Sequence, residues 1–320
     1  MQIRVVDEQT LRARVTLERS AMAAVEQGFA ALERGGVVMP PVLHMDIPGR
    51  NAEMDVKTAW VPGLPAFALK VSTGFFENAA KGLPSLSGMM AVICAETGRV
   101  LAVLLDNGWL TDLRTALAGA IAADRLARRD ARTAGILGSG LQARLQLEAL
   151  RLARPIERAL LWGRDAAATK AAASELAGRL GIPVEAAPLE RVVREAEILV
   201  TATSAREPLV RAEWLHPGLH VTAMGSDAPG KQELEPSVVM RADRVVVDRL
   251  AQCERLGELR AALEAGMEVE PGRVVELGAV IVGAAPGRTG EEQVTVCDLT
   301  GTGVQDTAIA LHALRLVEQR

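Results

Sequence analysis

Residues 17–35 carry apolar side chains at helical spacing and run into Gly35-Gly36, which predicts an amphipathic helix with a glycine stop. From residue 54 the period changes. The runs at 54–63 and 66–76 read as strands, split by Pro62-Gly63 and Pro65. Two further apolar runs flank Thr97-Gly98 and predict a hairpin. The first hundred residues therefore predict one helix followed by a meander of strands, an α+β module.

Character shifts near residue 111. Residues 111–130 read as an alanine-rich helix with Thr111 or Asp112 as its N-cap. Short apolar strands then alternate with helices. The strands are expected at 133–140, 158–163, 197–203, 219–226 and 244–248, and the helices at 142–153 and 166–181. That order means βαβ units and a parallel sheet, an α/β domain. The alternation stops near residue 300, and 306–320 reads as a last amphipathic helix with no strand of its own. It could pack on the first module and make that domain discontinuous.

At 320 residues and 49% apolar, the chain is long and apolar enough for two cores and is not a disordered chain. A net charge of -4 offers no basic footprint for duplex nucleic acid. Aromatic residues at 2%, with no tyrosine, also argue against base stacking on single strands. No apolar run reaches the roughly 18 residues needed to cross a bilayer. The first fifteen residues mix charges into apolar positions, unlike a signal peptide. A soluble cytoplasmic protein is expected. Cys94, Cys253 and Cys297 match no zinc or redox spacing and read as reduced, mostly buried thiols. His216 and His220 are broken apart by Pro217-Gly218, so no metal site is expected.

The sharpest local motif is Gly138-Ser139-Gly140-Leu141-Gln142-Ala143, between a strand and a helix. The first glycine allows a tight turn and the second lets backbone approach a pyrophosphate. Ala143 allows close packing of helix on strand. The anion would rest on the helix N-terminus. The next strand ends in Trp162-Gly163-Arg164-Asp165. An acid that would bond an adenosine ribose is missing at Gly163, and Arg164 suits a 2′-phosphate. That pattern leans to NADP(H), although Asp165 could serve as the acid in a shifted register. Arg164-Asp165 also reads as a solvated pair at a helix start.

Three further residues invite chemistry. Lys70 shares a strand face with Ala66, Ala68 and Ser72, and either snorkels outwards or points into a cleft. Arg114 stands in the first turn of a helix, where a cation is unfavourable. Asp112 or an anionic ligand is the expected compensation. Asp227 lies in a tight loop after the strand at 219–226, at the carboxyl end of a sheet where ligands collect. It could act as a general acid/base or serve only as an Asx-turn residue.

Met39-Pro40-Pro41, FALKVS, LTDLRTALAGA, GSGLQA, VTAMGSDAPGKQEL and DLTGTGVQDTA together resemble the ornithine cyclodeaminase/mu-crystallin family over nearly the whole chain. The stretches DVKTAWVPG, LPSLSGMM, AMGSDAPGKQELEP and LTGTGVQDTAIA resemble most the cyclodeaminase-like members of bacterial ectoine-utilisation clusters. The resemblance implies a Rossmann NAD(P)-binding domain at 116–304. It also implies a discontinuous substrate and dimerisation domain at 1–115 with 305–320, in a homodimer whose strands complete a barrel. By similarity, Lys70 and Arg114 hold a substrate carboxylate and Asp227 exchanges a proton at the substrate nitrogen. Thr302 and Gly303 lie beside the nicotinamide. Thr115, Thr201, Ala202, Thr203 and Met224 line the cofactor. His44 stands nearest the place where many members have a carboxylate-binding arginine. Met54 and Asp55 stand near a glutamate that supports cyclisation in cyclodeaminases. The implied activity is NAD(P)H-dependent reduction of a 2-imino acid, in ectoine or related amino-acid catabolism. The alternatives are cyclodeamination of an amino acid such as ornithine, and an NADPH-dependent binding role with little catalysis.

Overall fold

The computed structural model describes residues 3–268 and 272–319. Met1 and Gln2 of the N-terminal stretch and Arg320 of the last helix lie outside the described residues. The chain divides into two compact units, one ending at Arg114 and resuming at Thr302, the other spanning Thr115–Gly301.

The first unit opens with β1 (Arg4–Asp7) and α1 (Glu8–Arg14), two elements that the apolar pattern did not disclose. Asp7 caps α1 by accepting from the Thr10 N–H at 2.8 Å. Then come α2 (Arg19–Arg34), β2 (Leu43–Ile47), β3 (Ala52–Ala59), β4 (Ala66–Phe75), β5 (Leu86–Cys94) and β6 (Val100–Leu105). The strands form one sheet in the order β1-β6-β5-β4-β3-β2. It is an antiparallel meander from β2 to β6, with β1 added parallel at the edge. Helix α3 (Trp109–Leu126) follows. It begins two residues before Thr111, and Asp106 caps it instead of Thr111 or Asp112, accepting from the Leu110 N–H at 2.8 Å.

The second unit is an eight-stranded sheet, parallel throughout, in the order β13-β12-β14-β11-β10-β7-β8-β9. Its elements are β7 (Thr133–Leu137), α4 (Leu141–Ala153), β8 (Arg158–Trp162), α5 (Ala166–Leu180), β9 (Val184–Ala186), α6 (Leu189–Glu195) and β10 (Ile198–Thr201). They continue with β11 (His220–Ala223), α7 (Pro236–Arg241), β12 (Arg244–Val247), α8 (Leu250–Cys253), α9 (Glu258–Glu264), β13 (Val274–Glu276), α10 (Leu277–Val282) and β14 (Thr295–Asp298). Strands β9, β13 and β14 add to the five read from the pattern. Strands β9 and β13 have only three residues each, too few to show a period. Strand β14 inserts between β11 and β12 and is buried along its whole length. From β7 the chain steps outwards to β8 and β9, then returns to place β10 on the other side of β7. That reversal is the switch point where open α/β sheets bind ligands. The core is aliphatic, with Leu137, Leu199, Val221, Val245 and Val296 almost without exposure. Cys253 and Cys297 are buried free thiols, and Cys94 is a half-buried one.

The chain then returns to the first unit as α11 (Gly303–Glu318), which packs on α2, β3 and β4. Gly303 starts this helix directly against strand backbone. A Cβ there would stand 2.3 Å from the Thr58 carbonyl oxygen. Two turns of contact follow from that approach. Thr307 Oγ1 donates to the Ala59 carbonyl at 2.9 Å and accepts from the Ala68 N–H at 3.1 Å. The opposite face of the sheet carries Val5, Leu43, Met45, Met89 and Leu105, all exposed. No helix among the described residues is long and apolar enough to cross a membrane.

Candidate active site

Strand alternation decides where Lys70 goes. Ala66, Ala68, Lys70 and Gly74 are the buried positions of β4, and Phe67, Leu69 and Val71 take the other face. The small side chains let α11 settle close, so Lys70 lies under it with 1% exposure and does not snorkel. Its Nζ stands 3.1 Å from Asp306 Oδ1 and 3.0 Å from Oδ2, in the first turn of α11. Arg114 converges on the same carboxylate, its Nε donating to Asp306 Oδ1 at 3.1 Å. Its Nη1 donates to Gln305 Oε1 at 3.3 Å. An anion that compensates Arg114 is therefore Asp306, from a helix about 190 positions away in sequence. Asp306 also sits near the start of a helix, where the dipole favours a carboxylate.

Lys57 is the direct cross-strand neighbour of Lys70 and is also buried. Burial, then the nearby Arg114, push the Lys70 ammonium down to about 7, against the pull of Asp306. Burial opposes ionisation of Asp306, but Lys70, Arg114 and Lys57 outweigh it and hold its carboxyl below the usual range. Burial also pushes Asp106, at the head of α3, up to about 6. The cluster is thus rich in cations, with its central lysine poised to gain a proton when an anion arrives.

His44 faces Asp55 across β2 and β3, and Asp55 faces Ser72 on β4. It shares the Lys70 face of the sheet but stands two strands away, at the edge. Its Nδ1 lies 2.8 Å from Asp55 Oδ1, and this bond raises its pKa above the ordinary histidine value. Met54 lies one position from Asp55 and so faces the other way. Thr302 is the N-cap of α11, and its N–H donates to Gln305 Oε1 at 2.8 Å. Gly303 is consumed in packing against β3.

The second unit presents the glycine turn at the switch point. Gly138 has φ +129°, and a Cβ there would lie 2.7 Å from the Ala202 carbonyl oxygen. Only glycine fits both demands. Ala143 is buried and packs 3.4 Å from that same Cβ position. Gly140 is the N-cap of α4, no side chain caps the helix, and a Cβ on it would enter open space. A helix N-terminus left open above a glycine turn suits a pyrophosphate. Arg144 holds the turn from below, donating to the Ser139 and Gly140 carbonyls. Leu141 is exposed and Gln142 half-buried on the first turn of α4.

After β8, a Cβ on Gly163 would stand 2.7 Å from Thr169 Oγ1 and 3.0 Å from Ser139 Oγ. Arg164 is exposed beside it. Asp165 caps α5, accepting from the Ala168 N–H at 3.0 Å, so its carboxylate already has a structural task.

The loops after β10 and β11 are tied together by a residue that pattern reading passed over. Buried Glu233 accepts from Thr201 Oγ1 at 2.6 Å, Thr203 N and Oγ1 at 2.7 Å each, and Gly225 N at 2.8 Å. The lack of any exposure, and four donors on one carboxylate, mark it as the brace of this rim. Gln146 of α4 donates to the Thr115 carbonyl at 3.1 Å and to Met224 Sδ at 2.6 Å, fixing both. Asp248 accepts from the Thr300 and Gly301 N–H groups at 2.9 and 2.7 Å, so the loop after β14 is held rigidly. Asp227 stands on the loop after β11, about half exposed, with Lys231 Nζ 2.7 Å from its Oδ1. Its loop follows the carboxyl end of β11 and is not a helix face. No cluster of His, Cys, Asp and Glu among the described residues could hold a metal ion.

A parallel sheet with a glycine turn at its switch point defines a nicotinamide-dinucleotide type of α/β fold. Residues 4–318 match the ornithine cyclodeaminase/mu-crystallin family, and the chain belongs to it. It is 52% identical over 312 residues, 97% of this chain and 94% of the other, to a putative dehydrogenase of Rhizobium meliloti. Among solved structures, an archaeal alanine dehydrogenase dimer with bound NAD superposes with TM-score 0.91 at 33% identity, covering 99% of this chain and 97% of that one. A Δ1-pyrroline-2-carboxylate reductase of Thermococcus litoralis, in complex with NADH and L-proline, gives TM-score 0.92 at 27% identity, covering 99% and 98%. The relatives also include an iminosuccinate reductase and a lysine cyclodeaminase.

Proposed function

We propose that the protein reduces a 2-imino acid to the amino acid with a nicotinamide cofactor. The observation that carries this reading is the buried Lys70–Asp306–Arg114 cluster, two cations converging on one carboxylate and placed to accept a second. When bound, the cofactor supplies the hydride. Lys70 and Arg114 hold the substrate carboxylate and fix the distance of the imine carbon, and Asp306 keeps both cations aimed. Asp227, on a solvent-accessible loop, exchanges a proton with the substrate nitrogen. His44 lies at the edge of the same sheet face and serves larger substrates, beyond the reach of a small carboxylate on Lys70.

The Gly138–Ala143 turn receives the pyrophosphate, with Thr201, Ala202, Thr203, Met224 and Thr115 around the dinucleotide and Thr302 and Gly303 near its nicotinamide. NADP(H) is the favoured form, because Gly163 has no room for an acid, Asp165 is used as a helix cap, and Arg164 is free to meet a 2′-phosphate. The exposed apolar face of the six-stranded sheet is the natural seat of a second copy, giving a homodimer. The motif resemblance supports a substrate among the imines of ectoine-type catabolism. Cyclodeamination of a diamino acid fits less well, since its second ammonium group would meet Lys57 and Lys70 on one face.

The test is oxidation of NADPH and NADH by the purified protein. The panel holds 2-oxo acids with ammonium, a cyclic ketimine carboxylate, and imines derived from hydroxyectoine. Turnover with an imine is expected, and the variant Asp227→Asn should lose at least tenfold in rate with cofactor binding intact. No turnover with any imine, or an unaltered Asp227→Asn rate, overturns the reading. Proline and ammonium formed from ornithine with catalytic oxidised cofactor would favour cyclodeamination instead.

A further inference from the structure

Gln305 is the third residue of α11 and has 1% exposure. Its Oε1 accepts from the Thr302 N–H at 2.8 Å and from Arg114 Nη1 at 3.3 Å. Both partners are donors, so the amide orientation is fixed; a flipped amide would set its NH2 against two other N–H groups. The Nε2 group is then left without an acceptor among the described residues. A buried donor without a partner is costly, and such groups ask for an explanation.

Residue chemistry sharpens the point. A helix-start box works with Glu or Gln at this position, and Glu would gain from the helix dipole. Glu would also pair with Arg114 and neutralise it. Gln orients Arg114 through its carbonyl and leaves the positive charge uncancelled. It brings an extra N–H donor into the same cluster, against the guanidinium that meets Asp306.

We propose that the Gln305 amide is a third donor to the substrate carboxylate, beside Lys70 and Arg114. This rests on the carboxylate-binding role given to that pair above. Gln305 is a substrate-binding residue: it completes the donor set for a planar carboxylate, and its loss weakens anion binding more than it slows the bound substrate.

The experiment measures binding of pyrrole-2-carboxylate, a planar carboxylate, by tryptophan fluorescence on full-length protein with saturating NADPH or NADH. Pyrrole-2-carboxamide is the neutral control. Gln305→Glu retains the helix cap, so its thermal midpoint should equal or exceed that of wild type. Its Kd for the carboxylate should rise at least thirtyfold, with KM for an imine substrate rising more than kcat falls. Gln305→Met removes cap and donor together and should weaken binding about tenfold. Equal affinities, within twofold, in wild type and a folded Gln305→Glu would overturn the proposal and leave the carboxylate site standing. If wild type binds the carboxylate no better than the carboxamide, the carboxylate site itself fails, and the proposal with it.

Discussion

Replacing Asp306 by Asn removes a carboxylate shared by Lys70 and Arg114. At separations of 3.0–3.1 Å, each pair is worth about 5 kcal/mol in gross attraction at an effective dielectric constant of about 20. The net loss is smaller, because the ions were desolvated to form the pairs. Breaking a buried pair from one side costs about 3–5 kcal/mol. The variant has one escape: Lys70 can shed its proton, which Arg114 cannot. The Lys70 ammonium already titrates at about 7, so at pH 9 it is largely neutral even in wild type. The loss should therefore be about 3–5 kcal/mol at pH 6 and roughly half that at pH 9. Urea unfolding at both pH values measures it. The Asn variant alters no volume and leaves the capping contacts of α11 in place, so its effect is electrostatic. A loss below about 1 kcal/mol at pH 6, or the same loss at both pH values, would refute the reasoning.

Lys70 also governs the pH dependence of the wild-type protein. Its folded pKa of about 7 lies below its unfolded value of 10.5, so the unfolded chain binds more protons between these limits and stability should rise with pH across that window. The difference in slope between wild type and Lys70→Met, read from urea midpoints, should show this; identical slopes would exclude it. Gly303→Ala places a methyl group 2.3 Å from the Thr58 carbonyl oxygen, on backbone that cannot turn aside. It should destabilise by about 3 kcal/mol, visible as a thermal midpoint lowered by several degrees. Gly140→Ala meets nothing in the folded protein, and as a poorer helix cap it should cost no more than about 1 kcal/mol in unfolding. It should weaken dinucleotide binding at least tenfold, as followed by calorimetric titration.

Much of this arrangement could be read along the chain. The glycine turn was legible because both its glycines and its flanking strand and helix lie together between Thr133 and Ala153. Lys70 was legible as a cation among small residues on one strand face. The short strands β9 and β13 were not, since three residues carry no period. Strand β14 was hidden for another reason: it enters the middle of the sheet after all its neighbours have formed in sequence order. Asp306 and Gln305 stood in plain view within DLTGTGVQDTA, but as helix-start residues they had an adequate local explanation. Nothing along the chain marks Glu233, whose four donors come from Thr201, Thr203 and Gly225 only in the fold.

The sequence alone determined which stretches alternate at period two, which at helical spacing, and where glycine must turn the chain. These are local matters, decided by side-chain sterics and backbone dihedrals. Only the tertiary structure decided which charge meets which. The close approach of Gly303 to β3 sets α11 over β4, and Asp306 then reaches Lys70 across 236 positions. Electrostatic pairing acts through space and follows burial and distance, and neither is written in the spacing of residues along a chain.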